Sequence, residues 1–241
     1  MQNFVKQLKA IHWKIIIPNI LVQMICWSYV AASYAVNIKV SDFKANLLVL
    51  FVYQFFVAAA IILMSEQANS PLIIPALIAS AFFAFDGLWH GNVMAAGLLL
   101  MVPLCLFLIF LGILDQPAES QWLTYSFIYT LAIPLVMVRL ITGFVTLSSV
   151  ISLLPMLAIV AFCQSPLALA GTNYHLLDTT IAGVVAIVLT LAMRSFGLAL
   201  VIAILMMIGG WLFLMRYRHL QISPAAVNFF QMLVLIFAYW H

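Results

Sequence analysis

The chain is written as long apolar runs broken by short polar punctuation. The first run extends from Trp13 to Val36 and stops at "NIKVSDFK". The second, Ala45 to Met64, ends at "SEQANSP", and the third opens on Pro71 and ends in "DGLWHGN". Val93 to Leu114 is closed by "DQPAES"; Trp122 to Val138 is interrupted by Pro134 and ended by Arg139. The sixth run, Thr142 to Cys163, contains Pro155, and "QSPLALAGTNYH" separates it from the seventh, Leu177 to Met193. Arg194 and Ser195 form a short joint before Phe196 to Met215, and "RYRHLQISP" leads to the last run, Ala225 to Trp240.

A helix that crosses a bilayer needs roughly 20 apolar residues, and these runs have about that length. The pattern predicts an all-α, polytopic transmembrane bundle of about nine spans, because helices satisfy their own backbone in lipid. Eight spans remain as the alternative if Arg139 or Arg194 marks a kink in one long helix. Pro134 and Pro155 are tolerable within spans because neighbouring helices satisfy the freed carbonyls. There is no internal repeat, low-complexity tract or soluble segment. We therefore expect one domain over residues 1–241, with short loops joining mostly antiparallel neighbours.

Composition agrees with the pattern. Hydrophobic residues make up 67% of the 241 positions and charged residues 6%, with a mean hydropathy of +1.24. A soluble domain carries about 25% charged residues, so a water-exposed body of this size is excluded. The net charge of +3 is small and dispersed, which argues against nucleic acid as a partner. Lys6, Lys9 and Lys14 lead into a full-length apolar run without a cleavage pattern, so the start reads as a basic cytoplasmic end rather than a cleaved signal. With nine spans the inside would hold Lys6, Lys9, Lys14, Arg216 and Arg218, and the outside Lys39, Lys44, Arg139 and Arg194. That near-tie is resolved toward a cytoplasmic N-terminus by the leading basic cluster. The expected location is a bacterial-type inner membrane. Cys26, Cys105 and Cys163 lie inside apolar runs at no metal or redox spacing and read as buried small hydrophobes.

Ionisable residues inside a membrane are costly and therefore suggestive, but here nearly all sit at predicted helix ends. His175 and Asp178, three apart at the start of the seventh helix, share a face if that turn is helical. The preferred reading is a cap by Asp178 or Thr172, with the carboxylate at the positive end of the helix; the second is a working site. Asp86 and His90 in "FDGLWHGN" read as a polar turn, and Glu66 as the acid of a plain second loop. Arg139 and Arg194 either snorkel to the interface or hold a lipid phosphate. Arg216, Arg218 and His219 form a basic collar for anionic lipid. Gln23, Ser28, Gln54, Ser148, Ser149, Asn228 and Gln231 are the candidates for interhelical hydrogen bonds.

Catalytic signatures are absent: no G-x-S-x-G, no H-E-x-x-H, no histidine box and no phosphate-cradling glycine loop. No lysine lies within a span beyond Lys14 at the very start of the first, and no carboxylate lies at mid-membrane to carry protons. No metal centre and no cofactor are expected.

The layout resembles the UbiA-type intramembrane prenyltransferase superfamily. The opening "LKAIHWKIIIPNILVQMICWSYV" is similar to that family's first helix, and "VNFFQMLVLIFAYWH" to the last helix of para-hydroxybenzoate prenyltransferases. The resemblance implies nine helices and a catalytic mouth framed by the loops after the second and sixth. Members hold a prenyl diphosphate through magnesium bridged by aspartate-rich motifs on those loops. Here the second loop offers Glu66 alone, and the later motif retains Asp178 with Asn173 and His175. Two lone carboxylates do not hold two magnesium ions and a diphosphate. The resemblance thus implies a relative that has lost magnesium-diphosphate chemistry.

The leading expectation is a bundle that binds an apolar, isoprenoid- or quinone-like molecule, with membrane lipids and other membrane proteins as partners. A divergent prenyl or lipid transferase using Glu66, His175 and Asp178 is the second reading. A small transporter with a polar path along Gln54, Asn228 and Gln231 is the third. The 12 Met and 18 Phe suit an adaptable apolar cavity, and suit ordinary lipid-facing helices equally well.

Overall fold

The computed structural model describes residues 12–34, 45–66, 70–89, 93–112, 118–127, 130, 132–142, 145–169, 175–217 and 222–240. All regular elements among them are helical: α1 Trp13–Ala32, α2 Ala45–Glu66, α3 Ile73–Trp89, α4 Val93–Phe110, α5 Ala118–Phe127, α6 Ile133–Thr142, α7 Leu147–Ser152, α8 Leu154–Ala168, α9 His175–Met193, α10 Leu198–Arg216 and α11 Pro224–Ala238. Six helical stretches are long and apolar enough to cross a membrane, Leu147–Ala168 counting as one of them; Ile73–Phe85 and Pro224–Ala238 are shorter apolar helices.

Local sequence explains several boundaries. α11 starts where the Ser223 hydroxyl accepts from the Ala226 N–H, with Pro224 at the first position, where no N–H is needed. α7 begins at Thr146, whose hydroxyl accepts from the Ser149 N–H at 3.1 Å. Pro155 lacks the N–H that would continue α7; the chain turns at Leu153, and Pro155 falls in the first turn of α8. The sixth apolar run is therefore two helices in sequence. Pro134 likewise stands near the start of α6, and the fifth run is divided between α5 and α6.

Other boundaries differ from the sequence reading. α3 continues through Asp86 and Gly87 to Trp89 where a tight turn was expected; His90 lies outside the described residues. At Arg194 the chain forms a hairpin, with α9 packed on α10 and the Trp211 indole N–H donating to Thr180 Oγ1 at 3.0 Å. Thr180 and Trp211 lie nearly equidistant from the joint, so Arg194 separates two antiparallel helices and does not mark a kink.

The helices pack as two groups. In one, α2 contacts α1, α3, α4 and α6; in the other, α8 contacts α5, α7, α9 and α11, and α10 lies on α9 and α11. Contact of α1 with α11 joins them. The helix surfaces are inverted relative to a soluble protein. On α9, Thr179, Ala182, Gly183, Ala186 and Thr190 face inward, while Leu177, Ile181, Val184 and Val188 are exposed. Small and hydroxylated residues let helices approach in lipid, and the apolar stripe faces the acyl chains. At Gly183 the approach is close enough that a Cβ would stand 3.1 Å from the ring of Phe162 on α8. This is a multi-pass membrane bundle.

Candidate ligand cavity

Tyr29 on α1 donates to the Ile236 carbonyl of α11 at 3.2 Å and Cys26 lies against Gln231, contacts that ascend together, so these two helices run parallel. With the antiparallel neighbours, the starts of α1, α9 and α11 and the ends of α2, α4 and α8 gather at one end of the bundle. A cavity of about 410 Å³ lies there, in the seam between the two groups. Ile61, Ile62, Met64 and Ser65 of α2, Ile109 of α4, Trp122 and Ser126 of α5, and residues of α8 and α11 form its wall. Along α8 the lining runs from Ala168 to Val160, about 12 Å of helix rise. The wall is mostly aliphatic, and its polar side chains are Ser65, Trp122, Ser126, Gln164 and Asn228. Trp122 is fixed by its indole N–H, which donates to the Ala161 carbonyl at 2.8 Å. Ser126 donates back to the Trp122 carbonyl at 2.9 Å.

Amides cluster about midway along this space, one turn short of Val160 on α8. Gln164 Nε2 donates to Asn228 Oδ1 at 3.0 Å and to Gln231 Oε1 at 2.7 Å. Asn228 and Gln231, three apart on α11, share a helix face. Cys26 of α1 lies against Gln231, and Gln23 is three residues before Cys26 on the same helix. Gln23 and Gln231 are fully buried; neither amide atom of Gln23 has a hydrogen-bond partner, and Gln231 Nε2 has none. Each unmet buried group costs about 1–3 kcal/mol. Uncharged amides both donate and accept, so the cluster can recognise a neutral polar group but cannot neutralise an anion. Gln54, also fully buried, is closed off differently: Ser28 Oγ donates to its Oε1 at 3.4 Å, and its Nε2 meets Met137 Sδ at 3.1 Å.

The residues singled out from sequence divide between the two ends. Glu66 closes α2 next to Ser65 at the cavity mouth, and Asp178 lies in the first turn of α9 at the same end, with His175 on the same helical turn. No hydrogen bond or ion pair joins Glu66 to Asp178, and no group of three His, Cys, Asp or Glu residues could hold a metal, among the described residues. Arg216 ends α10, exposed, at this same end. Arg218, Asn173, Thr172, His219, Lys6, Lys9, Lys39 and Lys44 lie outside the described residues.

Arg139 and Arg194 are at the opposite end. Arg139 reaches Met94 Sδ at 3.1 Å at the start of α4. Arg194 turns into the protein: its Nη2 donates to the Tyr34 hydroxyl at 3.0 Å and to the Ser152 carbonyl at 3.3 Å, and its Cζ stands 3.6 Å from the centre of the Tyr239 ring. A crevice of about 590 Å³ beside Arg194 is bounded by Ser195, Gly197, Leu198 and Trp240, all exposed, and opens on the bundle's outside. The smaller space in the seam is the one that meets the buried amides.

Gln164 is the residue that sequence reasoning missed. "QSPLALAGTNYH" reads as a connection because it contains Pro166, yet α8 continues through Pro166 to Ala168 and carries Gln164 inside the bundle. No protein-family signature matches this chain, and no curated protein or solved structure is significantly similar to it.

Proposed function

We propose that this chain is a membrane-embedded binder of an apolar, isoprenoid- or quinone-like molecule, held without magnesium-diphosphate chemistry, and that it works as a subunit beside other membrane proteins. The observation that carries the reading is the 410 Å³ seam cavity, mostly aliphatic along its length, with Gln164 and Asn228 set together in its wall. Ligand cavities are typically apolar with a few fixed polar groups that set orientation.

The UbiA-like layout belongs to this proposal. α5 and α6 are counted as one broken span, which with the six long and two shorter apolar helices makes nine. The mouth then lies between the ends of the second and sixth spans, where a UbiA-type site would open. In the proposed setting, a bacterial-type inner membrane with a cytoplasmic N-terminus, that mouth faces the cytoplasm.

Two other readings keep specific support. Glu66 beside the mouth, with His175 and Asp178 at the same end, supports a divergent prenyl or lipid transferase. The unmet amide of Gln23 and the unmet Nε2 of Gln231 support a polar path through the bundle, hence a transporter. The wall argues for the binder: it holds no charged side chain among the described residues.

Native mass spectrometry of the purified protein tests the choice. A binder retains one apolar adduct per chain, unaffected by EDTA and by Glu66→Gln or Asp178→Asn. Absence of any adduct, together with uptake of a polar solute into proteoliposomes, would replace it with the transporter.

A further inference from the structure

We infer that the molecule in the seam cavity carries a hydroxyl head, as a long-chain alcohol or quinol does, and that Gln164 and Asn228 recognise it; this rests on the lipid-cavity reading above. Both Gln164 Nε2 protons are committed, to Asn228 Oδ1 and Gln231 Oε1. The same bonds leave the Gln164 carbonyl oxygen and the Asn228 amino group without a partner among the described residues, and both side chains line the cavity. One free acceptor beside one free donor matches a hydroxyl, which donates to the first and accepts from the second. A carbonyl engages only Asn228, and an alkane engages neither.

The surroundings select against charge. The wall contains no Lys, Arg or His among the described residues, and Glu66 adjoins Ser65 at the mouth. A phosphate head would give up its water without a cation in return, next to a carboxylate. Behind the two recognition residues, Gln231 Nε2 and both amide atoms of Gln23 are buried and unpartnered. They keep the bundle polar behind the wall, while in the wall itself a purely hydrocarbon ligand would leave the free groups of Gln164 and Asn228 unmet.

The test uses three probes that differ only at the head: 10-bromodecan-1-ol, 1-bromodecane and 10-bromodecyl phosphate. Bromine quenches tryptophan on contact, and Trp122 lines the cavity, so the part of the quenching lost in Trp122→Phe reports occupancy. With probes compared at equal mole fraction in the micelle, the alcohol should half-saturate at a concentration at least about tenfold lower than either of the others. Gln164→Leu or Asn228→Leu should bring the alcohol to the level of the bromoalkane. Three half-saturations within about twofold of one another would overturn the hydroxyl assignment while leaving the cavity reading intact. Absence of Trp122-dependent quenching by every probe would overturn both. The wild-type series, referenced to Trp122→Phe, decides the matter even where Gln164→Leu or Asn228→Leu fails to fold.

Discussion

The guanidinium of Arg194 stands 3.6 Å from the centre of the Tyr239 ring, and the Tyr239 hydroxyl shares the Ser152 carbonyl with it. Tyr34 donates to that same carbonyl at 2.6 Å, and the Met156 N–H donates to Tyr239 at 3.1 Å. One arginine thus ties the chain beyond α1, the end of α7, the α9–α10 joint and the end of α11. Stacking on a ring contributes about 0.5–2 kcal/mol, more when shielded from water. Arg194→Leu should destabilise the bundle by about 1–3 kcal/mol, read as a lower thermal midpoint in detergent. Arg194→Lys should recover only part of it, since an ammonium lacks the planar fork. Occupancy of the seam cavity, at the other end, should not change; equal midpoints for wild type and Arg194→Leu would remove Arg194 from this role.

A steric pair provides an independent check on the packing of α8 against α9. A Cβ on Gly183 would meet Phe162 at 3.1 Å, and both residues are buried. Gly183→Leu should cost about 1–3 kcal/mol through overpacking. Phe162→Ala in the same chain should return part of that loss, a coupling that separate sites do not show. Additive effects of the two substitutions would mean that the helices do not meet there.

Filling the mouth should close the cavity without disturbing the core. Ala168 lines it at the exposed end of α8, so an added indole enters the space from the rim. Ala168→Trp should keep its stability within about 0.5 kcal/mol of wild type, as surface substitutions do, and should purify without the apolar adduct. Retention of the adduct at full occupancy would place the ligand elsewhere.

The remaining acids separate binder from enzyme. Glu66→Gln and Asp178→Asn should leave adduct occupancy unchanged with or without magnesium. Loss of occupancy on chelation, or abolition of a prenyl transfer by either substitution, would restore the transferase reading.

The apolar runs made the helices legible because their composition is governed by the bilayer over about 20 positions at a time. Punctuation was less reliable. "DGLWHGN" looked like a turn, yet α3 tolerates Gly87 and continues to Trp89, since one glycine costs a helix only about 1 kcal/mol. Pro155, read as lying within a span, does lie within the stretch Leu147–Ala168, and there, as with Pro134, it stands near the start of a helical segment, α8 and α6 respectively, where its missing N–H is harmless. Arg194, read as snorkelling or holding a lipid phosphate, shows why an end position does not reveal direction: the ring that draws it inward, Tyr239, is 45 residues away in the chain. Asn228 and Gln231 were legible as candidates for interhelical hydrogen bonds, but their partner Gln164 fell in the stretch read as a connection. A cavity arises from helices that do not quite meet, and no local pattern encodes that.

The most direct measurement is a structure of the protein in lipid nanodiscs, inspected at the seam between Ile109, Trp122 and Gln164. One elongated density along α8 that contacts Gln164 and Asn228 is expected, with no metal-sized peak near Glu66 or Asp178. A cavity filled only by ordered water and continuous past Gln231 and Gln23, or a metal bridging Glu66 and Asp178, would contradict it.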